Sequence, residues 1–96
     1  MNYLFVALSS KENELGTGHF VRTKKLFDTF SEKTLHNSYF LSNVNQGIKR
    51  PNNKIFFEQN LTSRLLRKYL TNLEIDVMFV DALDKFFKVY SFAKKK

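Results

Sequence analysis

Short apolar runs alternate with longer amphipathic segments along the chain. Residues 3–8 form a continuous apolar run, which is typical of a strand buried on both faces of a parallel sheet. Shorter runs over residues 38–42, 54–58 and 75–80 predict three further strands. The asparagine-rich stretch over residues 43–53 holds the only proline and predicts a loop.

Two segments between these runs carry apolar residues at helical spacing. The first predicted helix begins at about residue 19 or 20 and ends at residue 33, and the second covers residues 61–73. Thr17 is a candidate N-cap of the first helix, and Asn60 or Thr62 of the second. The apolar stripes comprise Thr23, Leu26, Phe27 and Phe30 in the first helix, and Leu61, Leu65, Leu66, Tyr69, Leu70 and Leu73 in the second.

The resulting order of elements, β-α-β-loop-β-α-β, predicts an α/β fold. We expect a Rossmann-like parallel sheet of about four strands in the order 3-2-1-4, with two main helices. Right-handed crossovers that leave the first strand in opposite directions place one helix on each face. One helix covers a face of four strands incompletely, so the sequence predicts a partner, a second copy or a missing half.

Charge divides the chain into a domain over residues 1–84 and a basic, aromatic tail over residues 85–96. The formal net charge is +7, but the tail contributes five lysines and no acid. The remaining residues include eleven basic and nine acidic side chains, which weakens a nucleic-acid interpretation of the domain.

Composition excludes several further classes of protein. The chain has 96 residues and no cysteine, so a disulfide framework or a thiolate metal site is impossible. The first apolar run is shorter than a signal-peptide core, and no run approaches the length of about 20 residues that spans a bilayer. These features predict a cytoplasmic protein, either soluble or peripheral to a membrane.

The most distinctive motif is the loop Gly16-Thr17-Gly18-His19, which connects the first predicted strand to the first helix. Glycines let a ligand approach the backbone, and a helix N-terminus offers free amide donors to an anion. A dinucleotide fingerprint needs a third glycine where Val21 stands, and a P-loop needs a Gly-Lys-Ser/Thr sequence that is absent. The motif therefore argues against NAD and ATP, and we predict no cofactor.

Three side chains near this loop are candidates for chemistry. At a helix start His19 should stay neutral and can act as a general base, or it simply packs against the loop. Arg22 lies on the same side of the helix and can bind a phosphate or a carboxylate, or remain solvated. Asp81 ends the fourth predicted strand, where it can orient His19, bind a sugar hydroxyl or only start a turn.

The residues Gly16-Thr17-Gly18-His19-Phe20-Val21-Arg22, followed by Leu26, resemble a known signature. It is the Gly-x-Gly-His-x-x-Arg-x-x-x-Leu motif of the UDP-sugar hydrolases of the pseudaminic acid pathway, relatives of the MurG-like GT-B glycosyltransferases. Residues 75–81 resemble a later strand of the same N-terminal domain, which ends in an aspartate. The hydrolases usually continue with His-Tyr, whereas this chain has Ala82-Leu83.

The resemblance implies a GT-B fold of two Rossmann-like domains, in which the C-terminal domain binds most of the nucleotide-sugar donor. It implies that His19 is the base that activates water or an acceptor hydroxyl. It also implies that Gly16 and Gly18 line the acceptor side and that no metal takes part. Thr17, Arg22 and Asp81 are further candidates for substrate binding from their positions in the sequence.

Two functions from different classes follow from these observations. The first is the acceptor-side part of a glycosyltransferase-like or UDP-sugar-hydrolase-like protein in glycan or polysaccharide biosynthesis. It would act on a nucleotide-sugar and a sugar or lipid-linked acceptor, and would need a C-terminal half or an oligomer partner. The alternative is a small basic interaction module that binds nucleic acid or an anionic membrane through residues 85–96.

Overall fold

The described residues of the chain form an α/β arrangement of four strands and three helices. The computed structural model describes residues 1–8, 17–33, 36–43, 54–82 and 87–90, and describes side chains in these ranges except those of residues 17–20 and 87. In chain order, the elements are β1 (Asn2–Leu8), α1 (Thr17–Lys33), β2 (Asn37–Ser42), β3 (Ile55–Phe57), α2 (Ser63–Asn72), β4 (Val77–Ala82) and α3 (Phe87–Tyr90).

All four strands are parallel and follow the order β3-β2-β1-β4, which confirms the predicted topology. Phe5 of β1 pairs with Phe40 of β2 on one side and with Phe79 of β4 on the other. β1 therefore occupies an interior position, which explains its continuous apolar run. Its residues from Leu4 to Leu8 are all buried.

The pleat of β1 divides the core into two layers. Leu4, Val6 and Leu8 point to one face of the sheet and pack with Leu66 of α2. On the other face, Phe5 and Ala7 form a cluster with Phe27 of α1 and Phe40 of β2. The two main helices thus cover opposite faces, as the predicted crossovers require.

The helix boundaries differ slightly from those predicted. α1 begins at Thr17, two residues before the earlier of the two predicted starts, so Thr17 is part of the helix. α2 begins after Thr62, whose hydroxyl accepts a hydrogen bond from the Leu65 amide at 3.2 Å. This contact confirms Thr62, one of the two predicted candidates, as the N-cap.

Leu26 was expected in the buried stripe of α1, but this prediction is wrong because its exposed fraction is 59%. The buried side of α1 instead consists of Thr23 and Phe27, with Phe30 partly buried. α1 lies mainly over β1 and β2, so the side of the helix that carries Leu26 points toward the edge strand β4. Of the described helices, none covers that side.

α3 lies within the segment that the sequence assigns to the tail. Its residues Val89 and Tyr90 pack against the Leu66 cluster, next to α2. The division of the chain at residue 84 stays a prediction. Within the described ranges, no helix combines the length and the apolar character needed to cross a membrane.

A tyrosine–glutamate contact connects α2 to the end of β3 and predicts a pH dependence. The Tyr69 hydroxyl donates a hydrogen bond to the Glu58 carboxylate. Partial burial, together with this hydrogen bond, raises the pKa of Tyr69 from its ordinary value of 10.0 to about 12. The neutral phenol is therefore favoured in the folded chain.

We expect this contribution to stability to be fully present below about pH 10 and to be lost as the pH rises through about 12. Urea unfolding of the wild type and of Tyr69→Phe across this range measures it. The wild type should be the more stable at pH 9, and its advantage should shrink above the ordinary tyrosine pKa of about 10. A constant difference between the two proteins at all pH values would contradict the assignment.

Candidate functional site

The carboxyl end of β1 lies where the strand order reverses. The chain leaves β1 through α1 toward β2, while β4 lies on the other side of β1. In open α/β sheets, ligands bind in the crevice outside the strand ends at such a point. The segment over residues 9–16, which includes Gly16, falls outside the described residues. α1 follows it directly and opens at this edge of the sheet.

The first turn of α1 contains the remaining residues of the predicted motif. Thr17, Gly18 and His19 all have helical backbone, and their side chains are not among those described. The first amides of a helix have no intrahelical acceptor, and the macrodipole gives this end partial positive charge. An anion or a developing oxyanion is therefore favoured at this turn.

The structure brings together two of the predicted residues, Arg22 and Asp81. Arg22 Nε donates to Asp81 Oδ2 at 2.8 Å, and Arg22 Nη2 donates to Asp81 Oδ1 at 3.0 Å. The planar guanidinium thus binds both carboxylate oxygens at once, and this bidentate contact fixes the orientation of the carboxylate. The hydrogen bond to Asp81, followed by the attraction of its charge, raises the pKa of Arg22 above its usual value.

The ion pair changes what each partner can do. The Asp81 side chain is 28% exposed and the Arg22 side chain 64%, so both remain accessible from the solvent. A phosphate that binds Arg22 would have to compete with the Asp81 carboxylate. The negative charge of Asp81, in turn, is already compensated by the Arg22 guanidinium. The pair connects the second turn of α1 to the end of β4, and thereby fixes the first turn relative to the sheet.

An apolar groove extends from this ion pair along the gap between α1 and β4. Two adjoining cavities of about 250 and 300 Å³ form it, and both are lined by Phe5, Leu26 and Phe79. The smaller one reaches Asp81 and Thr23, whose buried hydroxyl has no hydrogen-bond partner among the described residues. The larger one ends at Lys33. Sequence reasoning missed this groove, although the prediction of one helix per face signals an uncovered edge.

A second, more polar cavity lies at the opposite end of the sheet. It has a volume of about 370 Å³, and its lining includes His36, Ser38 and Lys54, which lie at the amino ends of β2 and β3. Ser38 shares a hydrogen bond of 2.6 Å with Ser31 of α1. His36 and Lys54 precede the amino ends of β2 and β3, away from the carboxyl end of β1, which makes them useful controls.

The described side chains offer no cluster of three or more His, Asp or Glu that is placed to hold a metal ion. Comparisons with protein-family models, with curated proteins and with solved structures found no match to this chain.

Proposed function

We propose that this chain is the acceptor-side part of a glycosyltransferase or UDP-sugar hydrolase that acts in the cytoplasm, in glycan or polysaccharide biosynthesis. The observation that carries the proposal is the position of the Gly16–His19 motif. Thr17, Gly18 and His19 form the first turn of α1, the helix that follows β1 where the strand order reverses, and Arg22 of the same helix binds Asp81 of β4. The resemblance of the motif to the UDP-sugar hydrolases supports this assignment.

In the proposed reaction, His19 acts as the general base. His19 lies in the first turn of α1, at the positive end of the helix macrodipole. His19 would take a proton from water or from an acceptor hydroxyl as the oxygen attacks the anomeric carbon of the donor sugar. The bond from this carbon to the nucleotide diphosphate breaks, and UDP leaves with the bonding electrons.

The other motif residues would position the reacting oxygen. On the acceptor side, the substrate would approach the backbone closely at Gly16, Thr17 and Gly18. The first amides of the helix would donate hydrogen bonds to it. The Arg22–Asp81 pair would hold the first turn of α1 in place, and the Asp81 carboxylate would accept a hydrogen bond from a sugar hydroxyl. Arg22 would contribute positive charge for an acidic group of the acceptor.

The donor nucleotide would bind mainly to a second Rossmann-like half that faces the carboxyl edge of this sheet. The proposed substrates are thus a nucleotide-sugar and a sugar or lipid-linked acceptor, shared between two halves. The packing of Val89 and Tyr90 against the core supports a structural role for this part of the tail. No described contact favours the nucleic-acid or membrane alternative over the sugar-chemistry proposal.

Amide chemical shifts of the ¹⁵N-labelled chain test the proposed site. With the donor-binding half present and a panel of UDP-hexoses and UDP-N-acetylhexosamines as probes, we expect shifts to concentrate at residues 16–22 and at Asp81. Amides near His36 and Lys54, at the opposite edge, serve as internal controls and should not move. Shifts centred on that edge, or no shift with any probe at high concentration, would refute the assignment.

A further inference from the structure

The two edges of the sheet differ in how well they are protected against pairing. β3 contains three residues and follows Lys54, and both a short length and a lysine discourage pairing. β4 has six residues, and its only charged residue is Asp81, which binds Arg22 of the same chain. β4 contains no proline and has apolar side chains on both of its faces. A strand of this kind is a template for another strand.

We propose that β4 pairs in antiparallel fashion with β4 of a second copy of this chain, so that two four-stranded sheets join into one continuous sheet. The partner strand comes from a second copy of this chain, because each copy contributes the same strand, β4, to the contact. A two-fold interface is self-complementary, and an unprotected edge of one chain fits the same edge of another. The inference does not rest on the proposed sugar chemistry.

The direction of the peptide groups sets the register of this pairing. The Asp76 amide donates to the Asn2 carbonyl at 2.8 Å, so this amide points toward β1. Peptide groups alternate in direction along a strand, and those of Val77, Phe79 and Asp81 therefore point away from β1. An antiparallel pair centred on Phe79 lets Phe79 exchange two hydrogen bonds with its counterpart, and brings Val77 opposite the partner's Asp81.

Side chains on the α1 face fit the same register. Phe79 is 46% exposed although it stacks on Phe5, with ring centroids 5.0 Å apart. Directly opposed residues lie on the same face of an antiparallel pair, so the two Phe79 rings would meet at the two-fold axis. The contact would bury apolar surface that faces solvent in a single chain.

Charge also favours this arrangement. Lys33 lies at the end of the groove that is near the start of β4. It lines the same cavity as Phe30, and the ring centroids of Phe30 and Tyr3 are 4.6 Å apart. Tyr3 in turn pairs with Val77, the first residue of β4. The antiparallel register brings the partner's Asp81 to this end. Each interface would thus place Lys33 of one copy near the Asp81 carboxylate of the other, which also binds Arg22 of its own chain, at both of its ends.

Sedimentation equilibrium of the full chain tests the proposal, with two lysine substitutions as a matched pair. Phe79→Lys places a charge on the two-fold axis and should lower the fraction of dimer at least tenfold. Val21→Lys changes another exposed apolar residue, with an exposed fraction of 59%, that lines neither cavity of the groove. It should leave the dimer intact. A wild type that stays monomeric at every concentration, or a dimer that Phe79→Lys does not weaken, would overturn the proposal.

A second variant, which changes the backbone of β4, tests the proposal even if Phe79→Lys does not fold. Val77→Pro removes an amide that points away from β1, at the first residue of an edge strand, where proline is tolerated. It should keep the circular dichroism of the wild type and lose the dimer. In the wild-type dimer, hydrogen exchange at Phe79 should be slowed at least tenfold relative to Val77→Pro. Equal exchange in the two proteins would contradict the strand pairing.

Discussion

Replacing Phe40 by alanine is expected to lower the free energy of unfolding by about 3–5 kcal/mol. Phe40 has no exposed surface, lies in the interior strand β2 and packs against Phe27 with ring centroids 5.7 Å apart. The substitution removes the transfer free energy of the ring and leaves a cavity that the surrounding core fills only in part. The whole free energy of unfolding of a domain of this size is roughly 5–14 kcal/mol, so the substitution removes a large share of the stability.

The matched control is Phe79→Ala, which removes the same side chain from the edge strand. Phe79 is half-exposed, so its loss should cost only about 1 kcal/mol, mostly from its stacking on Phe5. Urea unfolding of the three proteins, at a concentration low enough to exclude association, gives the comparison. Equal losses for the two variants would show that the core does not lie between α1 and the two interior strands.

Much of the fold could be predicted from the spacing of apolar residues. The continuous run in β1 predicted an interior strand, and the alternation with amphipathic segments predicted the parallel order. Leu26 could not be placed correctly, because helical spacing identifies an apolar side without showing whether another element covers it. Its exposure follows from the position of α1 over β1 and β2, which only the three-dimensional structure reveals.

The strand order 3-2-1-4 is confirmed, and in it Asp81 pairs with Ala7 near the carboxyl end of β1. That Asp81 lies next to the glycine loop stays a prediction. The bidentate pair of Arg22 and Asp81 was not predicted, since 59 residues separate the two in sequence and the angle between α1 and β4 decides their distance. Thr23 belongs to the predicted stripe of the first helix and Phe79 to the fourth predicted strand, but neither pattern indicated that the two would line a groove.

The second large effect concerns His19. Replacing it by alanine is expected to lower the rate of UDP release by about 10²–10⁴-fold, the usual contribution of a general base. Substrate binding should change much less, because the backbone amides of the first turn remain. His36→Ala is the matched control, since this histidine lies at the amino end of β2, next to the N-terminus of the chain, away from the proposed cleft.

The most direct test of the sugar-chemistry account is the rate of UDP release from UDP-sugars by the wild type, His19→Ala and His36→Ala. Each protein is assayed with and without a second Rossmann-like half that binds the donor. The account predicts release only when both halves are present, at similar rates for the wild type and His36→Ala, and a rate at least a hundredfold lower for His19→Ala. Equal rates for the wild type and His19→Ala would remove this histidine from the mechanism and contradict the account.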